Sequence, residues 1–337
     1  MANGSKDKVR WGVISTANIG LSRVLPGMMK SRELEIRAIA SRSLPTAKKA
    51  AKKLGIPVAY GSYEELLDDP DIEAIYNPLP NHLHVPLTLA AARKGKHVLC
   101  EKPMALTAAE AATLRSAPKG VIVAEAFMVR HHPQWIKARD LVRSGKLGTL
   151  RAVQCLFSYY NDDPDNVRNM ADIGGGALYD IGCYPIVVAR YIFGVEPVRA
   201  ISLIDRDPNF RTDRTTSALI DFGEGRHLTF TASTQAVGYQ RVQILGTKGR
   251  LEVKIPFNAP QGAATTIYLD NGKELGDASA KPIKLPKVDQ YQLQGEAFSR
   301  LVRGKDKVAF GLDDAILQMR VIDALFRSEK SGNWEKP

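Results

Sequence analysis

The sequence predicts an α/β protein in which a doubly wound parallel sheet is followed by an α+β domain with a mostly antiparallel, open sheet. Over residues 9–125, short apolar runs alternate with helical patterns, as in right-handed βαβ units. The runs are apolar almost throughout, which is expected for parallel strands covered by helices on both faces. After about residue 130, strands of alternating polarity and turn signals follow one another, a pattern typical of antiparallel pairing.

The first part contains the apolar runs and amphipathic patterns of a parallel α/β sheet. Its predicted strands are 9–14, 34–40, 72–77, 97–100 and 120–126. Its predicted helices are 18–30, the Ala/Lys-rich segment 45–54, and 84–94. Because these elements alternate along the chain, we expect the strands to be parallel.

The second part begins with a helix over 132–144 and the strand 150–160, and a long helix follows the glycines at 174–176. Turn residues separate the strands that come next. These strands are 198–204, 214–223, 226–233, 240–247, 249–255 and 265–270. Two helices near 288–303 and 312–327 close the chain, and we place the domain boundary between residues 128 and 129.

Composition and charge bound the class of protein. The chain has 337 residues, of which 44% are hydrophobic and 25% charged, as in soluble globular proteins of two domains. No apolar run approaches the roughly 18 residues of a membrane span. The first residues lack the apolar region of a signal peptide, so a cytoplasmic location is expected, with a periplasmic one left open in case a signal was removed.

Neither the cysteines nor the positive charge indicates a particular function. Cys100, Cys155 and Cys183 are far apart, so we expect three buried thiols rather than disulfides or a zinc site. The formal net charge is +11, but the basic residues are spread along the chain without interleaved aromatics. We therefore expect neither a nucleic-acid nor a membrane partner.

The turn after the first strand is the candidate nucleotide cradle. The dinucleotide fingerprint has three glycines, whereas this chain has Ser15, Ala17 and Gly20 at those positions. The small residues add little bulk, the helix amino end still offers free N–H groups, and Gly20 keeps a close contact between helix and strand. Taken alone, the pattern leaves an ordinary βα turn equally open.

The end of the second strand favours NADP over NAD. An NAD-preferring site places Asp or Glu here to hold the ribose 2′-hydroxyl, but the chain has Ser41, Arg42 and Ser43. An arginine flanked by hydroxyls would bind a 2′-phosphate through charge-assisted hydrogen bonds. The alternative is a solvated surface arginine.

Three further motifs make a resemblance specific. Together with the turn at 15–20, the segments LPNHLH (79–84), GKHVLCEKPMA (95–105) and GGGALYDIGCYPIVVARYIFG (174–194) resemble the Gfo/Idh/MocA family of sugar oxidoreductases. The chain is most similar to the branch of glucose–fructose oxidoreductase, aldose–aldose oxidoreductases, and NADP-dependent xylose and dihydrodiol dehydrogenases. The resemblance covers nearly the whole chain and implies a Rossmann domain over residues 1–128 and a substrate-binding and oligomerisation domain over 129–337.

The resemblance also implies the site residues. The cofactor-binding candidates are Ser15, Thr16, Ala17, Asn18, Ile19, Ser41, Arg42, Ser43, Leu79, Asn81, His84, Glu101, Lys102 and Arg130. The substrate-binding candidates are Lys102, Tyr159, Arg168, Asp180 and Tyr184, with Tyr160 beside them. His82 and His84 could be read as a metal pair, but no third ligand accompanies them, so no metal is expected.

Lys102, Asp180 and Tyr184 are the expected catalytic residues. Lys102 follows a parallel strand, at the sheet edge where α/β proteins bind ligands. A lysine ammonium near a phenol lowers the pKa of the phenol from about 10, so Tyr184 is expected to act as general acid/base on a sugar hydroxyl. Asp180 is expected to orient the substrate and Lys102, and which of Lys102 and Tyr184 moves the proton stays open.

The implied activity is hydride exchange at C1 of aldoses with NADP, giving a lactone, coupled to reduction of a second sugar if the cofactor is tightly bound. Such relatives carry an N-terminal arm that helps to bury the nucleotide, whereas only about eight residues precede the first strand here, so tight retention of NADP is not the firm expectation. The alternatives are a xylose, glucose or dihydrodiol dehydrogenase with freely dissociating NADP, and a non-catalytic NADP-sensing regulator. An open sheet face in the second domain favours a homodimer or homotetramer.

Overall fold

The computed structural model describes residues 7–337, and the chain separates into two compact units. The first unit contains the described residues up to Met128 together with Asp289–Ile316. The second unit contains Val129–Val288 and Leu317–Pro337. The first six residues of the predicted Rossmann domain lie outside the described part of the chain.

The first unit is built on a six-stranded sheet in which every pairing is parallel. The strands are β1 (Val9–Ile14), β2 (Leu34–Ala40), β3 (Val58–Tyr60), β4 (Ala74–Asn77), β5 (His97–Cys100) and β6 (Val123–Glu125). Their order is β3-β2-β1-β4-β5-β6, the order of a Rossmann sheet. The order in which the strands are added reverses between β1 and β4, which stay parallel, so the carboxyl ends of these two strands flank the position where such sheets bind ligands.

Helices connect these parallel strands. They are α1 (Leu25–Met28), α2 (Leu44–Leu54), α3 (Tyr63–Asp68), α4 (His84–Arg93) and α5 (Ala108–Ala112). A π-helical turn, Gly20–Val24, precedes α1, so that residues 18–28 form one continuous helical segment. The side chains of Ser43, Ser62 and Thr107 cap α2, α3 and α5 by accepting backbone N–H groups.

The second unit is built on an eight-stranded, mostly antiparallel sheet. Its strands are β7 (Leu150–Tyr160), β8 (Arg199–Arg206), β9 (Asp213–Asp221), β10 (His227–Ser233), β11 (Gln235–Gly246), β12 (Arg250–Val253), β13 (Ala263–Asp270) and β14 (Lys281–Val288). The order is β14-β13-β12-β11-β7-β10-β9-β8, and only the pairing of β10 with β7 is parallel. The fold class predicted from the sequence is therefore confirmed in both units.

Helices cover one face of this sheet. They are α6 (Pro133–Arg143) and α7 (Cys183–Phe193), and a second π-helical turn, Leu178–Gly182, leads directly into α7. Along β7, Val153, Cys155 and Phe157 are buried, whereas Gln154 and Leu156 are exposed on the opposite face. The sheet thus has one packed and one open face, as the alternation in the sequence predicts.

Two helices close the chain, α8 (Gln290–Val302) and α9 (Leu312–Ser331). The sequence analysis placed α8 in the second domain, but it packs in the first unit. The Trp11 ring lies 5.2 Å from that of Phe298, and its indole N–H donates to Ser299 Oγ at 3.2 Å. Apolar periodicity identified the helix, but its partner is a tryptophan far away in sequence.

The three cysteines are buried thiols, as predicted. No helix within residues 7–337 combines the length and apolar character needed to cross a membrane. Over the same residues, no cluster of three or more His, Cys, Asp or Glu side chains is arranged to hold a metal ion.

Gly27 is expected to be required for the packing of α1 against the start of α8. A Cβ at this position would lie 2.8 Å from Asp289 Oδ1 and 2.9 Å from Tyr291 Cβ. Asp289 is held in place by Lys30 Nζ at 2.7 Å. We therefore expect Gly27→Ala to lower the free energy of unfolding by about 1–3 kcal/mol through overpacking, despite the better helix propensity of alanine.

Gly20→Ala is the matched control, because Gly20 lies on the same helical segment. A Cβ there would meet Tyr76 Cε1 at 3.6 Å and Pro78 Cγ at 3.7 Å, which are ordinary contacts. Thermal or urea unfolding of the two variants measures the difference between their free energies of unfolding. Equal stabilities would show that the carboxylate of Asp289 can move away at little cost.

Candidate active site

The turn after β1 has the backbone path of a glycine turn although it begins with serine. Ser15 has φ 94°, in the left-handed region that favours glycine. Its N–H donates to Ala40 O at 2.9 Å, and its Oγ accepts the Ala17 N–H at 3.1 Å. The hydroxyl thus stabilises a conformation that costs a non-glycine residue about 1–3 kcal/mol. Thr16 and Ala17 are half-buried in the turn.

The helical segment at 18–28 begins directly after this turn. Asn18 is exposed and Ile19 half-buried at its start, so the first N–H groups follow the carboxyl end of β1. Gly20 lies close to β4, because a Cβ on it would contact Tyr76 Cε1 at 3.6 Å, but at this ordinary contact distance the close approach does not require glycine. Its neighbours, Tyr76 and Pro78, leave room for alanine.

The carboxyl end of β2 presents an arginine that pairs with no described carboxylate. Arg42 is exposed and makes no hydrogen bond or ion pair with any residue from 7 to 337; its charge acts on the nearby phenol of Tyr63. Ser41 Oγ accepts the Ser43 N–H at 3.4 Å, and Ser43 Oγ accepts from Thr46. An unpaired guanidinium beside two hydroxyls suits a phosphate dianion.

His84 lies in a different environment from the one predicted for it. The imidazole is 1% exposed, with Nδ1 2.7 Å from Pro103 O and Nε2 2.7 Å from Leu79 O. Burial lowers the pKa of His84 to about 4. Both ring nitrogens face backbone carbonyls, so His84 joins the loop after β4 to the loop after β5 rather than contacting a nucleotide.

The other candidates after β4 remain accessible to different degrees. Leu79 is 7% exposed. Asn81 is half-buried at the start of a short 3₁₀ turn, Asn81–Leu83, which leads into α4. Asn77 holds the start of this loop in place, because its Oδ1 accepts the Leu79 N–H at 3.3 Å.

The Glu-Lys-Pro motif follows β5 directly. Glu101 Oε1 accepts the phenol of Tyr76 at 2.7 Å, and Glu101 Oε2 accepts the Lys102 N–H at 3.3 Å. The Lys102–Pro103 peptide is cis. Lys102 is half-buried at the carboxyl end of β5, the edge predicted for it. The carboxylate of Glu101, predicted to contact the cofactor, bonds within the protein and shapes this loop.

In the second unit, three predicted substrate-binding residues meet at one carboxylate. Asp180 Oδ2 accepts the phenol of Tyr159 at 2.6 Å and lies 2.9 Å from Arg168 Nε. Asp180 is 14% exposed at the side chain, whereas that of Arg168 is 41% exposed. The Asp180 carboxylate raises the pKa of Arg168.

The phenol ring of Tyr184 is held by other aromatic rings. Its centroid lies 5.9 Å from that of Phe157 and 5.2 Å from that of Phe257. The loop that carries Phe257 is anchored on α6, since the indole N–H of Trp135 donates to Pro256 O at 2.8 Å. Packing therefore fixes the ring plane of Tyr184, which is 7% exposed.

The remaining candidates differ in exposure. Arg130, in the second unit, is 6% exposed within the short turn Met128–His131, so it is a buried residue. Tyr160 is 65% exposed, and its phenol donates to Asp162 at 3.2 Å. His82 and His84 do not form a metal pair, because both nitrogens of His84 contact carbonyls.

Two of the helical segments that carry candidate residues contain a π turn, which the sequence analysis missed. Pro26 and Pro185 each follow such a turn. A proline ring clashes with the carbonyl four residues earlier, here Ser22 and Ile181, and each of these lies inside the π turn. The wider turn relieves that clash, and π turns are frequent at functional sites. Pro26 and Pro185 were the sequence signal from which these two π turns could have been predicted.

Comparisons with known proteins place these residues in a family context. A model of the oxidoreductase family with an NAD-binding Rossmann fold, GFO_IDH_MocA, matches residues 9–124. A model of the GFO/IDH/MocA C-terminal domain matches residues 135–252.

Individual relatives match over nearly their full length. The D-xylose 1-dehydrogenase (NADP(+)) 2 of Haloferax volcanii is 37% identical over 96% of this chain and 98% of its own. The 3-ketoreductase KijD10 of Actinomadura kijaniata, solved with NADP and TDP-benzene, has a TM-score of 0.88 at 28% identity over 95% and 98% of the two chains. The aldose–aldose oxidoreductase of Caulobacter crescentus, solved with glycerol, has a TM-score of 0.88 at 27% identity over 98% and 100%.

Proposed function

Because the chain belongs to the Gfo/Idh/MocA family of oxidoreductases, we propose that it is an NADP-dependent sugar oxidoreductase that exchanges hydride at C1 of an aldose. The observation that carries the proposal is the cluster in the second unit, where Tyr159 and Arg168 hold Asp180 and Tyr184 follows Asp180 by four residues on the same helical segment. Charged and phenolic groups on one helical segment can orient a sugar and move its proton. The 37% identity to a xylose 1-dehydrogenase supports C1 as the reacting carbon.

The first unit has features that fit NADP. The backbone path at Ser15 and the helix amino end behind it provide N–H groups for phosphate. Arg42, unpaired with any described carboxylate, would hold the 2′-phosphate together with Ser41 and Ser43. Thr16, Ala17, Asn18 and Ile19 would contact the pyrophosphate, and Leu79 and Asn81 the nicotinamide end; Arg130, which is in the second unit, stays a prediction.

The residues around the reacting hydroxyl have different roles. NADP(H), when bound, supplies the chemistry of hydride transfer. Tyr184 takes the proton from the C1 hydroxyl in the direction of oxidation and returns it in the direction of reduction. Lys102 stabilises the negative charge that develops on the same oxygen. Asp180 accepts a hydrogen bond from a hydroxyl of the sugar. Arg168 and Tyr159 hold the carboxylate of Asp180 in place.

One experiment separates the coupled reaction from a simple dehydrogenase. Freshly purified protein is denatured to identify any released nucleotide, and native protein is then incubated with pairs of sugars without added cofactor. Joint formation of a sugar acid and a sugar alcohol supports a cofactor that stays bound. Turnover that requires added NADP⁺ supports a xylose, glucose or dihydrodiol dehydrogenase, and binding of NADPH without turnover of any sugar supports a regulator.

Reduction of a keto sugar linked to a nucleotide is the second candidate. The overall similarity to KijD10, a 3-ketoreductase solved with TDP-benzene, favours it. Titration with TDP tests this candidate directly. Competition of TDP with the sugar at micromolar concentration would replace the aldose proposal, whereas no competition up to millimolar concentration would leave the free aldose as substrate.

A homo-oligomer remains a prediction. Leu156 and Leu203 are 39% and 77% exposed on β7 and β8 of the open sheet. Apolar side chains on an uncovered sheet face support contact with a second copy, and light scattering measures the assembly.

Arg42 is expected to set the preference for NADP. Arg42→Ala should raise the KM for NADP⁺ by about 10–100-fold, because it removes charge-assisted hydrogen bonds worth about 1.5–3 kcal/mol. The KM for NAD⁺ should change little, since NAD⁺ lacks the 2′-phosphate. Initial rates with both cofactors give the ratio.

Arg32→Ala is the matched control for this prediction. Arg32 is also exposed, but it precedes β2 instead of following it. It should leave both KM values unchanged. If Arg42→Ala changes the two cofactors equally, or changes neither, Arg42 does not contact the 2′-phosphate.

A further inference from the structure

A buried carboxylate lies beneath the helical segment that carries Asp180. Asp213, the first residue of β9, is 1% exposed. Its Oδ2 accepts the Leu178 N–H at 2.6 Å and the Thr216 hydroxyl at 2.9 Å. Burial raises the pKa of Asp213 to about 6. Burying a carboxylate is costly. The N–H of Leu178, the first residue of the π turn Leu178–Gly182, is its specific partner here.

The other oxygen of the same carboxylate lies against Gly176. A Cβ on Gly176 would be 1.8 Å from Asp213 Oδ1, and the φ of Gly176 is 118°. Both the missing side chain and the backbone conformation therefore require glycine at this position. Asp213 thus contacts Gly176 through one oxygen and Leu178 through the other.

Gly176 connects this carboxylate to both members of the Arg168–Asp180 ion pair. The Gly176 N–H donates to Arg168 O at 2.8 Å, and Gly176 O accepts the Asp180 N–H at 3.1 Å. The side chains of Arg168 and Asp180 then meet at 2.9 Å. One buried carboxylate therefore supports the backbone of both residues.

We propose that Asp213 is a positioning residue of the active site, which fixes Gly176 and Leu178 and thereby sets the placement of Arg168, Asp180 and the helix that carries Tyr184. The inference rests on the proposed function for its effect on catalysis. Asp213 touches neither sugar nor cofactor in this role. Small displacements of groups that orient a substrate can cost up to about 100-fold in rate.

Asp213→Ala removes the contacts with Gly176 and Leu178, together with the hydrogen bond from Thr216, and tests the proposal in two ways. Amide hydrogen exchange in the peptide 174–184 should become at least about tenfold faster, because Leu178 loses its acceptor. With the aldose and NADP⁺, kcat should fall by about 10–100-fold, while the KM for NADP⁺ stays within about twofold. Asp213→Asn keeps the size and an acceptor oxygen, so it should restore most of both properties.

Asp207→Ala is the matched control. Asp207 is also buried, at 6% exposure, and its carboxylate accepts the N–H groups of Asn209 and Phe210 and the amide of Gln235. A general loss of stability would appear in both alanine variants as a lower Tm. Only Asp213→Ala should change exchange in 174–184 and lower kcat.

The outcomes distinguish this inference from the proposed function. Unchanged exchange in 174–184 for Asp213→Ala would overturn it, as would faster exchange with an unchanged kcat. If the wild-type protein turns over no aldose, the proposed function fails and the catalytic role of Asp213 fails with it. The exchange data would then still report whether Asp213 holds this backbone.

Discussion

Replacement of Lys102 by methionine is expected to lower kcat/KM for the aldose by about 10²–10⁴-fold, the usual contribution of a group that acts on the proton or the charge of the reacting oxygen. Methionine has a similar length and keeps the apolar stem, but it lacks the ammonium group. The backbone of the loop should be retained, since it is bonded to Glu101 and, through Pro103, to His84. Initial rates and NADPH binding by fluorescence are the measurements.

The control is Lys94→Met, in the same unit. Lys94 is 55% exposed and forms a surface ion pair with Asp68, so its loss should change kcat/KM by less than about twofold, as surface pairs contribute little. The role of Lys102 would be contradicted by a variant that binds NADPH normally and retains turnover within about threefold of the wild type. Loss of NADPH binding together with turnover would instead assign Lys102 to the cofactor.

The secondary structure could be predicted where the local pattern is strong. β1, β2, β5 and β7 begin and end where the sequence analysis placed them. β14 was missed because Pro282 and Pro286 argue against a central strand. The structure places it at the edge of the sheet, where prolines and lysines are tolerated and prevent further pairing.

The site could be predicted at the level of motifs, but the roles of its neighbours could not. His84 lies in a motif that suggested contact with the nucleotide, yet it is buried between two carbonyls. One of these belongs to Pro103, 19 residues away, and nothing in the local sequence indicates that contact. Asp213 is 35 residues from Leu178, so its role depends on tertiary structure.

The conformation of Ser15 shows a different limit of sequence patterns. The fingerprint uses glycine at this position because φ is positive, and with serine there the sequence alone left an ordinary βα turn equally open. In the structure the turn is kept, with φ 94°, and the serine hydroxyl bonds to the amide of Ala17. A pattern search detects the loss of glycine but not the hydrogen bond that compensates for it.

Removal of one oxygen atom, in Tyr184→Phe, is expected to lower kcat by about 10²–10⁴-fold, because the general acid/base is lost. The ring should keep its place, since its contacts with Phe157 and Phe257 do not involve the hydroxyl. In the direction of oxidation, the rate of the wild type should rise with pH as the proton acceptor loses its proton. This pH dependence should disappear from the residual activity of the variant, which pH profiles of kcat/KM measure.

Tyr191→Phe is the matched control for this substitution. Tyr184 and Tyr191 both lie on α7 and are both 7% exposed, but Tyr191 packs against Arg139. It should retain turnover within about twofold, because general acid/base catalysis needs a group in reach of the reacting proton. The double variant Lys102→Met/Tyr184→Phe adds a further test: residues that act as one unit lose no more together than either loses alone. If the losses of activity in the two single variants multiply in the double variant, Lys102 and Tyr184 act in separate steps. If Tyr184→Phe retains the wild-type pH profile, another group transfers the proton.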